Sequence, residues 1–207
     1  MKIDQLNKLN NFHLDVIKEI SNIASGNAAT SLATMLNFKI DMAVPQVQVV
    51  KTNHAATLLG GPENIKVGIL AKIFGDIEGL MMFLLEESFA KDIMQSLLGQ
   101  DYSFQNQMDE MQYSVISEIG NIMIASYVNA ISNMTGMHID ISVPSIAIDM
   151  VGALLAVPAL ELSPASDDII FVEGVFLDRQ SDVTSNILLV PTIESLNTLL
   201  IKLGIEL

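Results

Sequence analysis

Two short polar patterns, 99 residues apart, hold the side chains of this 207-residue chain whose types and spacing suit chemistry. Each pattern has an aspartate or serine, then a glutamate four residues later, then an asparagine three residues after that: Asp15, Glu19 and Asn22 in the first, and Ser114, Glu118 and Asn121 in the second. On a helix, a Glu and an Asn one turn apart can hold a small group, such as a water molecule, between them.

Helical periodicity gathers each pattern into one narrow stripe, at about 100° per residue. The neighbouring apolar positions predict a buried face in both copies: Val16, Ile17, Ile20, Ile23 and Ala24 in the first, and Val115, Ile116, Ile119, Ile122 and Met123 in the second. A single polar stripe is usually only the wetted face of a helix. Its repetition favours a function, because exposed side chains have no packing reason to stay alike, and neighbours such as Lys18 and Ser117 differ.

The two patterns are part of a longer internal repeat. Residues Phe12–Pro45 align without a gap with Met111–Pro144, and each copy ends on the same proline, 23 positions after its asparagine. A period this long does not fit a solenoid, so it indicates a duplicated half-domain.

The repeat predicts a single domain over residues 1–207, with pseudo-symmetric halves at about 12–99 and 111–204 joined by a polar linker at 100–110. The expected fold is α/β, of the layered α+β kind: two α-β-β-β-α halves with mostly antiparallel strands packed against two long site-bearing helices. Predicted helices span 12–36, 88–98, 109–135 and 192–203, and predicted strands span 38–50, 67–74, 80–85, 138–148, 169–177 and 186–190. The second half carries extra residues within 149–168.

Composition excludes several classes of function. The chain has no cysteine, which excludes disulfides and thiolate catalysis, and its net charge of −14 disfavours nucleic acids and anionic membranes as partners. The longest apolar stretch, 143–160, is interrupted by an aspartate, a glycine and two prolines, so we predict no membrane insertion. The first residues lack the apolar core of a signal peptide, and we expect a cytoplasmic protein. The three histidines, expected at the surface or in strands, show no metal-ligand spacing, and no metal site is predicted.

The repeated motif resembles that of the CheC/CheX/FliY phosphatase family of bacterial chemotaxis. That motif is Asp or Ser, three residues, Glu, two residues, Asn and, after about 22 residues, Pro. It occurs here as Asp15-VIK-Glu19-IS-Asn22 with Pro45, and as Ser114-VIS-Glu118-IG-Asn121 with Pro144. Two intact motifs without added domains resemble the CheC branch, since CheX has one intact motif and FliY has extra segments.

The resemblance implies that the chain hydrolyses the aspartyl-phosphate of the response regulator CheY. Asn22 and Asn121 would each orient the attacking water, and Glu19 and Glu118 would anchor the partner. The motif's remaining positions would support docking at Asp15 and Ser114 and would be structural at Pro45 and Pro144. No cofactor of its own is implied, and Mg²⁺ is expected to come with the phosphorylated partner.

A second implied partner is CheD, the receptor-modifying deamidase. Its docking surface is expected on the apolar segment Ile148–Leu160, with Asp149 as the acidic contact, although the same segment could be a buried strand-to-helix crossover. The alternative function for the whole chain is a non-catalytic flagellar-switch or adaptor module of the same fold. The two intact Glu–Asn pairs argue against that alternative, because such relatives lose these residues.

Overall fold

A computed structural model describes residues 3–37, 39–99, 103, 108–162, 168–177 and 182–205. Within these ranges the chain forms a short 3-10 helix (Leu6–Lys8), six α-helices and seven β-strands. The helices are α1 (Asn11–Leu36), α2 (Thr52–Leu58), α3 (Glu87–Leu98), α4 (Glu110–Thr135), α5 (Val151–Leu162) and α6 (Ile193–Lys202). The strands are β1 (Asp41–Lys51), β2 (Ile65–Gly75), β3 (Gly79–Leu85), β4 (Ile139–Ile141), β5 (Ser145–Met150), β6 (Asp168–Leu177) and β7 (Asp182–Pro191).

One antiparallel sheet contains all seven described strands, in the order β1-β6-β7-β3-β2-β4, and β5 also pairs with β2. The two hairpins, β2–β3 and β6–β7, lie side by side in the middle, because β3 pairs with β7. The first strand of each half crosses to the hairpin of the other half, so β1 pairs with β6 and β5 pairs with β2. The predicted antiparallel, pseudo-twofold fold is confirmed, and neither half forms its part of the sheet alone.

Helices cover both faces of this sheet. Strand β3 is buried along its whole length, with alternate residues in two separate cores. Its residues Met81 and Phe83 pack in the core beneath α1, α3, α4 and α6, whereas Met82 and Leu84 pack in the core beneath α2 and α5. Full burial on both faces explains why this strand is apolar without alternation.

Two predicted details were incomplete. Each half contains one more helix than predicted: the seven-residue α2 in the first half, and α5, within the extra stretch 149–168, in the second. The first residues of α2 and α5 are 99 positions apart, which is the offset of the repeat, so α5 is the longer counterpart of α2. The strand predicted at 138–148 is divided into β4 and β5 by residues 142–144, because Pro144 cannot donate to the sheet.

Parts of three predicted segments lie outside the described residues. These are most of the linker at 100–110, the end of the stretch 149–168 and the tip of the second hairpin at 178–181. Among the described helices, α4 is long and apolar enough to cross a membrane, but 61% of its apolar window is buried inside the fold. The core helix of a globular protein meets the same criteria.

The two long helices pack against each other in the core. Ser25 of α1 and Tyr127 of α4 share a hydrogen bond of 3.1 Å, and the Tyr127 ring meets Phe83 of β3 edge to face at 5.7 Å. Burial raises the pKa of the Tyr127 hydroxyl to about 12, and the hydrogen bond with Ser25 offsets part of that rise. The hydroxyl is therefore neutral at physiological pH and can remain in the core.

Gly120 allows α4 to approach the sheet closely. A Cβ atom at this position would lie 2.4 Å from Cγ2 of Ile69, a fully buried residue of β2. The distance is shorter than any van der Waals contact, so a larger residue requires α4 or β2 to move.

We predict opposite effects for the same substitution at two helical glycines. Gly120→Ala should lower the free energy of unfolding by roughly 1–3 kcal/mol, the usual cost of overfilling a core. Gly26→Ala, in α1, should be neutral or raise it by up to about 1 kcal/mol, because no atom lies within 4 Å of the added methyl group and alanine is the better helix former. Urea denaturation of the two variants measures both values, and equal effects would contradict the proposed close approach.

Candidate active site

Matching caps set the start of the two site-bearing helices. Asn10 accepts a hydrogen bond from the backbone N–H of His13 at 3.0 Å, and the backbone N–H of Asn10 donates to His13 Nδ1 at 3.2 Å. Asp109 and Gln112 form the same reciprocal pair before α4, at 2.8 and 3.1 Å. Such capping boxes satisfy backbone donors at a helix start and fix where the first turn begins. His13 is a buried capping residue, so its expected place at the surface or in a strand was wrong.

Both predicted polar stripes are on the surface. The side chains of all six residues are exposed: Asp15, Glu19 and Asn22 on α1, and Ser114, Glu118 and Asn121 on α4. Among the described residues, none of these side chains has a hydrogen-bond or ion-pair partner. Each helix therefore presents a carboxylate and a carboxamide, one turn apart, to the solvent. Their hydrogen-bonding groups are available to a partner or to water.

The buried face of each helix lies more directly opposite the stripe than predicted. Ile17, Ile20 and Ala24 are buried as expected, but Ile23, predicted to be buried, is 38% exposed. Val16 and Ile122 are only half-buried. The arc shifts because each long helix contacts both the sheet and the other long helix, which brings small residues such as Ser21 and Gly120 inside. Ile23 consequently lies at the border of the stripe, next to Asn22.

The two motif prolines interrupt corresponding strands at opposite edges of the sheet. The β1–β6 register shifts between Ala43 and Gln46, a bulge that contains Pro45. Pro144 lies in the break between β4 and β5 and is buried. A proline lacks the N–H that a regular ladder needs, so bulges and edge breaks are where strands accept it. The structural role expected of the two prolines stays a prediction.

Each stripe begins with an exposed apolar residue that sequence reasoning did not single out. Phe12 lies one turn before Asp15 and is 61% exposed, and Met111 lies one turn before Ser114 and is also 61% exposed. The two occupy matching positions of the repeat, at the first residue of the aligned segments. The alignment of Phe12 with Met111 in the repeat was the only signal of this pair that the sequence offered. It did not show that both side chains are exposed.

The segment predicted to bind a second partner lies on the other side of the sheet. Asp149 is exposed at the end of β5, and its carboxylate accepts a hydrogen bond of 2.7 Å from the backbone N–H of Met150. In α5, which follows, Leu154 and Leu155 are buried in the second core, whereas Val157 and Leu160 are 40% and 84% exposed. One face of the segment is therefore a buried crossover and the other is an exposed apolar surface, and binding of the second partner there stays a prediction.

Comparison with known proteins matches both copies of the motif. The profile of the CheC-like family matches residues 12–49 and 111–148. The CheY-P phosphatase CheC of Bacillus subtilis is 29% identical over 198 residues, which cover 94% of this chain and 95% of that protein. The flagellar motor switch phosphatase FliY of the same organism is 29% identical over 146 residues, which cover 70% of this chain and 38% of that protein.

Solved structures share the fold at lower identity. The crystal structure of Thermotoga maritima FliY superposes with a TM-score of 0.74 at 24% identity and covers 95% of this chain and 98% of that chain. The FliM middle domain from H. pylori superposes with a TM-score of 0.69 at 12% identity and covers 94% of this chain and 99% of that chain. At these identities the likeness concerns the fold alone.

Proposed function

Because the chain belongs to the CheC-like family, we propose that it is a phosphatase that hydrolyses the aspartyl-phosphate of the response regulator CheY. A curated relative that matches over 94% of the chain carries the name CheY-P phosphatase. The observation that carries the proposal is the duplication, on two capped helices, of an exposed Glu–Asn pair that has no partner among the described residues. Each pair forms one active face.

The reaction needs a positioned water more than it needs a reactive side chain. Water attacks the phosphorus atom, the bond from phosphorus to the aspartyl oxygen breaks, and the products are a carboxylate and inorganic phosphate. An acyl phosphate is already labile, so most of the catalysis lies in placing the water in line with the bond that breaks. Asn22 and Asn121 suit this role, because a carboxamide both donates and accepts hydrogen bonds and brings no negative charge towards the phosphoryl group.

The glutamates would act by docking. Glu19 and Glu118, one turn before the asparagines, would accept charge-assisted hydrogen bonds from a lysine or another donor beside the phosphorylation site of the partner. Asp15 and Ser114, one turn further back, would add polar contacts at the rim. Both site helices are long and partly buried in the core, so they present these groups on rigid elements.

Phe12 and Met111 extend each docking face by an apolar contact. Their exposed side chains lie on the same side of the helix as the stripe, one turn before its first polar residue. A partner that covers the stripe would remove them from water, and burial of one such side chain contributes about 1.5–3 kcal/mol.

The alternative, a non-catalytic switch module, shares the fold and is distinguished by the stripes. The likeness to FliM domains cannot separate the two functions, because one fold carries different sites. Both Glu–Asn pairs are present and exposed here, which favours the phosphatase.

We also propose that the exposed side of α5, with Asp149 beside it, binds the deamidase CheD. Val157 and Leu160 are exposed apolar residues on α5, and Asp149 is an exposed acid just before this helix. The phosphatase would act in the cytoplasm. It would need no cofactor of its own, and Mg²⁺ would come with the phosphorylated regulator.

We predict that the double variant Asn22→Ala, Asn121→Ala loses nearly all activity. A time course of phosphorylated CheY should then follow the spontaneous rate, while each single variant keeps the activity of the other face. Both side chains are exposed, so the unfolding midpoint should stay close to that of the wild type. The matched control is Asn27→Ala, Asn129→Ala, which removes two exposed asparagines from the same helices. Hydrolysis by the first double variant at the wild-type rate would overturn the mechanism.

Removal of both apolar contacts should weaken docking without slowing the chemical step. For Phe12→Ala, Met111→Ala we expect the KM for phosphorylated CheY to rise about tenfold or more, because about 1.4 kcal/mol corresponds to a factor of ten. The kcat should stay within about twofold of the wild type. Phe74→Ala, which removes a 46% exposed ring from β2, is the control. A fall in kcat at unchanged KM would argue against a docking role.

Charge reversal at Asp149 should weaken the binding of CheD without changing the activity towards phosphorylated CheY. Asp149→Lys should reduce the affinity for CheD at least tenfold, as measured by titration with the purified protein, and should leave hydrolysis of phosphorylated CheY unchanged. The control is Asp140→Lys, which reverses an exposed acid on β4 of the same half. Undiminished binding of CheD to Asp149→Lys would remove this surface from consideration.

A further inference from the structure

A buried ion pair lies on the α2/α5 side of the sheet, away from both polar stripes. Lys66, in β2, is 1% exposed, and its ammonium group contacts the carboxylate of Glu86, just beyond β3, whose side chain is 31% exposed. Burying such a pair is costly, and its replacement by well-packed apolar residues is often neutral or stabilising. Stability alone therefore does not account for these two charges.

The pseudo-symmetry of the fold shows what the same place contains in the other half. Val67 pairs with Ile148 in β5, and the equivalent pair in the other half is Ile170 with Val49 in β1. Lys66 directly precedes Val67, and Ile169 directly precedes Ile170, so Lys66 corresponds to Ile169. Through the β2–β3 and β6–β7 pairings, Glu86 corresponds to Val190. Both Ile169 and Val190 are buried and apolar. The fold thus accepts an apolar pair at this place, and only one half has charges there.

The ion pair borders a cavity of about 270 Å³. Other polar residues of this cavity also correspond to largely apolar positions in the other half. Gln46, Glu173 and Asn186 lie in one row across β1, β6 and β7. The row that corresponds to it in the other half is Ser145, Leu70 and Met82. Charges and carboxamides therefore stand at positions that are largely apolar in the other half, and they line an accessible space.

Several polar groups in the cavity have hydrogen-bonding capacity that the described residues do not use. Asn186 is 6% exposed, and its carboxamide has no hydrogen-bond partner within the described part of the chain. The ammonium group of Lys66 donates one hydrogen bond there, to Glu86, and can donate three. The carboxylate of Glu173, half-buried, also has no partner among those residues. These groups are therefore free to form hydrogen bonds with a polar molecule that enters the cavity.

The charges select the kind of molecule. One ammonium and two carboxylates line the cavity, together with neutral carboxamides. A phosphate or another polyanion would meet both carboxylates, and a simple cation would leave the donors of Lys66 and Asn186 unused. A ligand with one carboxylate and one ammonium group would match the donors as well as the acceptors. Its carboxylate would accept from Lys66 and Asn186, and its ammonium group would donate to Glu173. The volume is several times the roughly 30 Å³ that one water occupies in the liquid.

We propose that this cavity, which we call the Lys66 pocket, is a binding site for a free α-amino acid. The residues that define it are Lys66, Glu86, Glu173, Asn186, Gln46 and Gln48. The site lies in the opposite layer from α1 and α4, so it is separate from the two proposed active faces.

Calorimetric titration of the full chain with each common L-amino acid tests this proposal. We expect at least one amino acid to bind, and its analogues that lack either the ammonium or the carboxylate group to bind at least tenfold more weakly. The double variant Lys66→Ile, Glu86→Val copies the other half and should bind at least tenfold more weakly with no lower unfolding midpoint. The control Glu87→Ala, Lys91→Ala removes an exposed ion pair from α3 and should bind like the wild type.

Asn186→Met, which copies Met82, is the second variant and keeps the test decisive if the charge-pair variant fails to fold. It should also bind at least tenfold more weakly. Three results would overturn the proposal: no amino acid binds the wild type, the amine or the carboxylate alone binds as tightly as the amino acid, or a folded variant binds with unchanged affinity.

Discussion

The packing of α1 and α4 against one face of a continuous antiparallel sheet is the constraint on which the other features depend. Each long helix buries an arc of apolar and small residues against the sheet and against the other helix. The opposite arc faces solvent, and the Glu–Asn pairs lie on it. Gly120 permits the close approach, and Tyr127 joins the two helices through Ser25. The exposure of the stripes is thus a consequence of how the core is filled.

The duplication leaves its clearest traces where both halves meet the same physical demand. Both long helices begin with a capping box, both first strands are interrupted near a proline, and both Glu–Asn pairs point outward. Where only one half carries a feature, packing has diverged. Met82 and Leu70 fill the patch in one half that Asn186 and Glu173 line in the other. Comparison of the halves therefore separates residues that the fold needs from residues that it merely accepts.

The two layers of helices divide the surface of the molecule. The helices α1 and α4, with the stripes, lie on one face of the sheet, and α2 and α5 lie on the other with Asp149 and the Lys66 pocket. Crossed pairing of β1 with β6 and of β5 with β2 ties both layers to one sheet. Partners of different kinds can therefore contact opposite sides of the same rigid framework without competing for residues.

The sequence by itself determined the repeat, the two long helices, the hairpins and the six stripe residues, because local periodicity and self-similarity report all of these. Tertiary structure decided which arc of each helix is buried, and so exposed Ile23, since that depends on the neighbouring helix. It also decided the helix α2, too short to show a clear period, and the split of one predicted strand into β4 and β5. The cavity around Lys66 comes from residues on the four strands β1, β2, β6 and β7, from Glu86 just beyond β3, and from the end of α2 and the loop after it, far apart in the chain. Only the strand registers bring them together, because no local pattern encodes a contact across a sheet.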